Sequence, residues 1–393
     1  MVTVHQAKHL IRDNACTLTP VERPLAKSLG YVLATDILAP MDIPSYPQSG
    51  MDGYAFKYAD WQPGRGIEII GEIAAGMPVN NTVGQGKAVR IFTGAPVPAG
   101  TDTVVMQEKT SRKNEWLYID FSAIKKGDNV RLPGTEIKKN ELALAKNTPL
   151  TPAALGFLAG MGISSVTVYP APSIALLITG NELQQPGQPL AYGQVYESNG
   201  ISLQAALQKS GLQVNEIIRV QDKLDALTSA LMQALEQHDL VLITGGISVG
   251  DYDFTLAATK ACDVEQLFHK VSQKPGKPLF AGKKEKKLVL ALPGNPASVL
   301  TCYYEYVTEA ISKMMLKNIV PENKQVPLQQ PYWKKPGLAF FLKAYFDGTS
   351  VHLLASQESY KMNSFARANC LVFLPEETEA VDTGTPVEIH LIS

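Results

Sequence analysis

The sequence predicts a multidomain α/β protein. At its centre is a doubly wound α/β domain, joined by a helical unit, an inserted β-domain and a small C-terminal β-domain. Three observations predict this. From Pro172 to about Met315, short apolar runs alternate with stretches of helical period, the pattern of βαβ units on a parallel sheet. From about Ser45 to Pro133, glycine and proline punctuate short β-branched runs. After Pro321 the chain reads as β once more.

Val4 to Ala15 has helical spacing. A second helical stretch is expected around Leu25 to Leu33, before Pro40, Pro44 and Pro47 break the pattern. Ile67–Ile70, Ala88–Ile91 and Thr103–Met106 read as strands. Leu150 to Met161 returns to helix, with Thr151 suited to the N-cap and Pro152 to the first helical position. The helical pieces on either side of the β-rich text can pack together. This gives a linker unit of residues 1–44 and 137–170, carrying residues 45–136 as an inserted β-domain.

Residues 171–318 make the α/β domain. Strands are expected at Ser173–Ile178, Val214–Val220, Leu240–Ile243 and Lys287–Leu292. Helices are expected at Gly200–Ser210, Leu224–Glu236, from Thr255, and as one long helix reaching Met315. Residues 319–393 form the C-terminal β-domain, with strands at Leu338–Tyr345, Val351–Leu354, Cys370–Leu374 and Pro386–Ile392.

The 393 residues are 45% hydrophobic and 19% charged, enough apolar material for real cores. The formal net charge of −1 supplies no basic field for nucleic acid or an acidic membrane, so an anion site must be a local cluster. No uncharged apolar run approaches the roughly 20 residues needed to span a bilayer, and Met1–Ala15 lacks the apolar core of a signal peptide. Cys16, Cys262, Cys302 and Cys370 form no CxxC pair, which argues against a zinc ribbon and suits a reduced cytoplasm.

The turns at the strand ends carry the chemistry, because open parallel sheets bind ligands there. Thr244-Gly245-Gly246-Ile247-Ser248-Val249-Gly250-Asp251-Tyr252-Asp253 leaves one strand and opens a helix. Its glycines allow close backbone approach, amides at a helix start favour anions, and Ser248 adds a hydroxyl. Asp251 and Asp253 would repel a bare phosphate but make sense with Mg²⁺ between carboxylate and phosphate. A structural βα turn capped by an aspartate has the same sequence. Gly246-x-Ser248-x-Gly250 also matches a hydrolase nucleophile elbow. The only downstream histidines are His269, His352 and His390, the last two in the C-terminal β-domain, and the adjoining Gly245 and Asp251 suit phosphate and metal better.

A second cluster, Lys270 with Lys274-Pro275-Gly276-Lys277-Pro278, gathers ammonium groups able to hold an oxyanion or pyrophosphate, and its prolines keep the loop non-helical. The run Lys283–Lys287 reads instead as a solvated hairpin tip. Gly180-Asn181-Glu182 and Pro293-Gly294-Asn295-Pro296 each follow a buried strand, and Glu182 can accept from the NH edge of a pterin or guanine. Asp52, in Ser49–Ala55, reads equally as a turn aspartate.

Taken in order, these segments resemble the MoeA family. The match spans the whole chain, through Ser49–Ala55, Ile91–Pro98, Asn129–Arg131, Thr179–Leu183, Gly245–Asp253, Lys274–Pro278 and Pro293–Pro296. The resemblance implies the four domains above, with a MogA-like α/β domain and a C-terminal domain like a β-barrel. It also implies a homodimer whose active site is shared between subunits. The implied activity is insertion of molybdate into adenylylated molybdopterin, with Mg²⁺-dependent hydrolysis releasing AMP. Carried over by motif are Asp52, Thr93, Glu182, Asp222, Asp253, Lys270, Lys274, Ser248, Pro293 and Pro296. Asp253, Asp222 and Asp251 are the expected metal ligands. Gly180, Asn181, Gly245, Gly246, Ser248, Gly250, Lys277, Pro293, Gly294, Asn295 and Pro296 are the expected ligand-binding residues. Transient partners would be the molybdopterin adenylyltransferase and cofactor-receiving enzymes.

Some positions depart from the family pattern. Gly134-Thr135-Glu136 stands where Gly-Glu-Asp is frequent, Gly337-Leu338 where Gly-Arg is, Lys343 in place of an arginine, and Glu358-Ser359 in place of Gly-Ser. Ser359, Ser364 and Asn369 keep the rest of the C-terminal pattern. Two other readings are an adenylyltransferase resembling the α/β domain alone and a scaffold protein like gephyrin. The extra β-domains weigh against the first, and the lack of gephyrin's other domains against the second.

Overall fold

The computed structural model describes residues 1–77, 82–247 and 254–392, which divide into two compact units. One comprises Met1–Arg23, Ser28–Ala34 and Thr167–Ser393, the other Pro24–Lys27 and Thr35–Val166.

The first unit is organised by a six-stranded sheet in the order Glu216–Val220, Ile174–Thr179, Leu240–Thr244, Lys287–Leu292, Phe280–Lys284, Glu265–His269. The first four strands run parallel, Phe280–Lys284 runs against them, and Glu265–His269 pairs antiparallel to Phe280–Lys284. Alternate residues feed two cores. Ile174, Leu176 and Ile178 meet the helices Asn199–Lys209 and Pro296–Cys302, while Ala175 and Leu177 meet Leu224–Gln237 and Phe254–Ala261. Helices thus cover both faces. This is why the central strands read as unbroken apolar runs: neither face offers a polar residue a wet position. The Lys283–Lys287 run is the expected hairpin, with Lys284 opposite Lys287.

The helix Val4–Asn14 begins with a capping box made by Thr3 and Gln6. Val4, Ala7 and Ile11 are buried in the first of the two cores, so this helix belongs to the α/β unit and not to a separate helical linker. The expected helix at Leu25–Leu33 does not form. It is one 3₁₀ turn, Leu25–Lys27, followed by a bend at Gly30 and a strand, Val32–Leu33, paired with Val168 and Tyr169. A tertiary partner for Val32 and Leu33 overrides the local helical spacing. The long helix to Met315 is interrupted by a π-helical segment, Tyr303–Val307. Buried Glu305 within it accepts from Lys8 at 2.5 Å and meets His390 Nδ1 at 2.7 Å, joining the first helix to the last strand.

The C-terminal strands form a second sheet in the order Gln273–Lys274, Ala339–Phe346, Cys370–Leu374, Pro386–Leu391, Asn323–Pro327, with Val351–Leu353 also paired to Ala339–Phe346. Phe341, Leu371 and Phe373 pack into the α/β core, and Leu342, Ala344 and Val372 into a separate cluster. The edge strand Gln273–Lys274 comes from the lysine-rich loop and pairs in parallel, Lys274 opposite Phe340.

The second unit holds a six-stranded sheet, ordered Thr103–Met106, Gly53–Phe56, Lys87–Ile91, Ile67–Ile73, Trp116–Ile119, Thr110–Lys113. All three β-branched runs expected here are strands. The helix Pro152–Gly160 is capped as expected, Ala154 N donating to Thr151 Oγ1 at 3.2 Å.

Candidate functional site

Strands Ile174–Thr179 and Leu240–Thr244 lie side by side, but the chain leaves them toward opposite faces. After Thr179 it reaches the helix Asn199–Lys209 in one core. After Thr244 it reaches Phe254–Ala261 in the other. A crevice must open where two such connections diverge, and ligands of doubly wound sheets bind there.

The turns at this point are tightly fitted. Gly245 has φ +84, and a Cβ there would lie 2.1 Å from the Thr179 carbonyl oxygen, so only glycine fits. Asp222, just past the neighbouring strand, accepts from the Thr179 hydroxyl at 3.2 Å, and its backbone N–H donates to Asn181 Oδ1 at 3.2 Å. A Cβ on Gly246 would lie 3.6 Å from Asp222 Oδ1 and 2.9 Å from Thr255 Oγ1. Thr179, Asn181, Asp222 and Gly245-Gly246 therefore form one cluster. Among the described residues, the buried hydroxyls of Thr244 and Thr255 beside these turns have no hydrogen-bond partner.

Glu182 and the Pro293–Pro296 turn complete the rim. Glu182, Asn199, Ile247, Pro278, Pro293 and Asn295 are among the residues lining a cleft of about 570 Å³. Asn199 Nδ2 donates to the Gly294 carbonyl at 2.8 Å. Gly294 in turn approaches the Gly245 backbone: its Cβ position is 3.9 Å from Gly245 Cα.

The lysine loop is braced from below. Gln273 is buried, its Nε2 donating to the Pro275 carbonyl at 2.9 Å while its Oε1 accepts from Tyr306. Gly276 sits over Cys302. Lys270 has φ +72 and shares backbone hydrogen bonds with Val2 and Leu279. Lys274 is exposed, its ammonium 5.2 Å from the Phe340 ring centre, and Lys277 is exposed. Pro278, at the end of this loop, reaches the cleft lining, whereas the Lys274 ammonium is held over Phe340.

In the second unit, three motif segments far apart in sequence converge. Gly94 N donates to the Ser49 carbonyl, Gly50 N to the Asn129 carbonyl, and Ser49 pairs with Val130. Asp52 Oδ1 accepts from Thr93 N at 2.7 Å and Thr93 Oγ1 at 2.8 Å. These bonds, the backbone one foremost, hold the exposed Asp52 carboxyl below its ordinary range. Arg90 lies over the rings of Tyr54 and Phe92.

Ser248, Gly250, Asp251 and Asp253 lie outside the described residues. Among the described residues, no group of three or more His, Cys, Asp or Glu could hold a metal on its own, and no helix is long and apolar enough to cross a membrane. Sequence reasoning missed Asn199 and the Thr179–Asp222 contact. An asparagine opening a helix behind Glu197-Ser198 was the available signal for the first.

The fold defines a multidomain protein whose doubly wound α/β domain carries a crevice at its strand ends, with further β-rich segments before and after it in the chain. Three family profiles cover the chain: "MoeA N-terminal region (domain I and II)" at residues 2–162, "Probable molybdopterin binding domain" at 175–313 and "MoeA C-terminal region (domain IV)" at 325–392. The chain is 33% identical to the molybdopterin molybdenumtransferase of Haemophilus influenzae, across 99% of this chain and 98% of that protein. It is 32% identical to the protein of the same name from Staphylococcus aureus, across 99% and 95%. It superimposes on the molybdopterin biosynthesis MoeA protein from Pyrococcus horikosii with a TM-score of 0.85 at 28% identity, covering 100% and 99% of the two chains. The chain belongs to the MoeA family.

Proposed function

We propose that this chain is a molybdenum insertase of molybdenum cofactor synthesis, acting on adenylylated molybdopterin and molybdate and releasing AMP. The observation that carries the reading is the convergence of the Gly180–Glu182, Gly245-Gly246 and Pro293–Pro296 turns on one crevice, with Asp222 beside it. Full-length similarity to molybdopterin molybdenumtransferases supports it. The adenylyltransferase and scaffold readings are not favoured.

In this reading the strand-end turns bind the substrate's pterin and phosphates. Glu182 accepts from the pterin NH edge. Backbone amides at the glycine turns face negative charge. Asp222 supplies one carboxylate beside the glycine turn, and the Asp251 and Asp253 carboxylates follow it in sequence. That donor set suits Mg²⁺ shared with a phosphate, since this ion is usually held by one or two carboxylates, waters and phosphate oxygens. Bound there, Mg²⁺ would neutralise charge on the phosphoanhydride. Lys270, Lys274 and Ser248 attract the molybdate dianion. Asp52, kept ionised by Thr93, orients a polar group at the pyrophosphate. The protein works in the cytoplasm as a homodimer, one subunit's Asp52 serving the other's site, with transient contact to the adenylyltransferase and to cofactor-receiving enzymes.

The test is AMP release from adenylylated molybdopterin. It is expected only when molybdate and Mg²⁺ are both present. Release indifferent to molybdate, or AMP transfer from ATP to molybdopterin, would overturn the reading.

A further inference from the structure

The C-terminal loop Ser356–Lys361 ends against the Pro293–Pro296 turn. The helix Pro296–Cys302 starts without a side-chain cap, although Asn295 is the residue type that usually provides one. Instead, Asn295 Nδ2 donates away from the helix, to Ser359 Oγ at 3.0 Å. The first-turn amide of Ala297 donates to the Ser359 carbonyl at 3.0 Å. Ser359 therefore grips the helix start at two points, satisfying an N–H that helix geometry leaves without a partner.

Behind Ser359 lies Lys343, from the strand Ala339–Phe346, only 3% exposed. Its ammonium donates to the carbonyls of Ser356 at 2.6 Å, Lys361 at 3.0 Å and Glu358 at 3.1 Å. These three carbonyls flank Ser359 on both sides. Gln357 adds to the brace, accepting from Lys343 N and donating to the Lys343 carbonyl, and Ser364 Oγ donates to the Ser356 carbonyl. An ammonium has three N–H donors, so Lys343 has none left for an oxyanion.

We propose that Lys343 is a positioning residue: it closes the Ser356–Lys361 loop so that Ser359 fixes the Pro293–Pro296 turn at the substrate cleft, and it does not itself bind molybdate. The inference rests on the functional reading above only for which substrate the cleft takes. The mechanical link from Lys343 to Ala297 stands independently of it.

The experiment has two readouts. In amide hydrogen exchange, Lys343→Met is expected to speed exchange by about tenfold in peptides covering 356–361 and also in those covering 295–300. Acceleration confined to 356–361 would overturn the link. In the AMP-release assay, Lys343→Met and Ser359→Ala are each expected to raise KM for the adenylylated pterin by about fivefold to tenfold. The molybdate concentration for half-maximal rate should stay unchanged, and the double variant should be no worse than Lys343→Met alone. A change confined to molybdate dependence would make Lys343 an oxyanion ligand and overturn the proposal, as would additive effects. Should Lys343→Met fail to fold, Asn295→Ala and Ser359→Ala form the same cycle at the loop's far end. Additivity there overturns it equally. Wild-type protein inactive on this substrate would defeat the functional reading while leaving the exchange result to decide the link.

Discussion

Thr93 binds the Asp52 carboxylate twice, through its backbone N–H at 2.7 Å and its hydroxyl at 2.8 Å, although 41 residues separate them. Hydrogen bonds to the ionised form lower a carboxyl's pKa, so removing one should raise it. Thr93→Val, which keeps the backbone bond and deletes the hydroxyl, is expected to move Asp52 upward in a carbon-detected titration and shift the acid limb of activity to higher pH. Because the folded pKa lies below the ordinary value, the stabilisation is complete above the ordinary value and disappears as pH falls through the depressed one. An unchanged titration would mean that the backbone bond alone sets it.

Asp222 joins the Thr179 hydroxyl to the crevice. Asp222→Asn keeps the shape and removes the charge. AMP release is expected to fall by about a hundredfold, with higher Mg²⁺ needed for half-maximal rate. Normal turnover with an unchanged Mg²⁺ requirement would remove Asp222 from the metal site.

Lys274→Ala should raise the molybdate concentration for half-maximal insertion, while Lys286→Ala, at the exposed hairpin tip, should leave it alone. Lys286 is the better control, because Lys284 donates to the Cys262 carbonyl and so has a structural partner. Equal effects from both substitutions would mean diffuse electrostatics.

Gly245→Ala should be among the most damaging single substitutions in the α/β domain. The added methyl meets the Thr179 carbonyl at 2.1 Å, and φ +84 is strained for alanine. A loss of more than about 2 kcal/mol in denaturant unfolding is expected. A loss near zero would show that the turn can rearrange.

Subunit sharing is tested by mixing inactive Asp52→Ala with inactive Asp253→Asn protein. Random exchange makes about half of the dimers mixed, each with one intact site, so about a quarter of wild-type activity should return. No recovery after verified exchange would place both residues in one subunit's site.

What could be read in advance follows from the range of the forces involved. The strands Ile174–Thr179, Leu240–Thr244 and Lys287–Leu292 were legible because burial on both faces demands apolar residues throughout. The three glycine- or proline-rich turns were legible because their backbone demands are local. Val32–Leu33 was misread as helix, since its strand identity comes from Val168 and Tyr169 far along the chain. The two-residue strand Gln273–Lys274 was invisible for the same reason: nothing in a polar, proline-bounded dipeptide announces a partner at Ala339. Asp52 and Thr93 were named together only through family resemblance, and spacing alone offered no reason to pair them. The bond between Asn295 and Ser359 had no local signal, because asparagine at a helix start ordinarily caps its own helix.

That Gln273–Lys274 strand bears on how freely this architecture can be recombined. Lys274 takes its backbone register from Ala339 and Phe340 and rests its ammonium on the Phe340 ring. The C-terminal sheet is thus no detachable module: exchanging it for a homologue's would transplant one wall of the lysine-rich loop along with it. A chimera joined near residue 320 would keep every lysine of the loop in its sequence and still lose the template that aligns them. Recombination within such a chain is best cut at joints that leave residues 270–278 and 339–346 from the same parent.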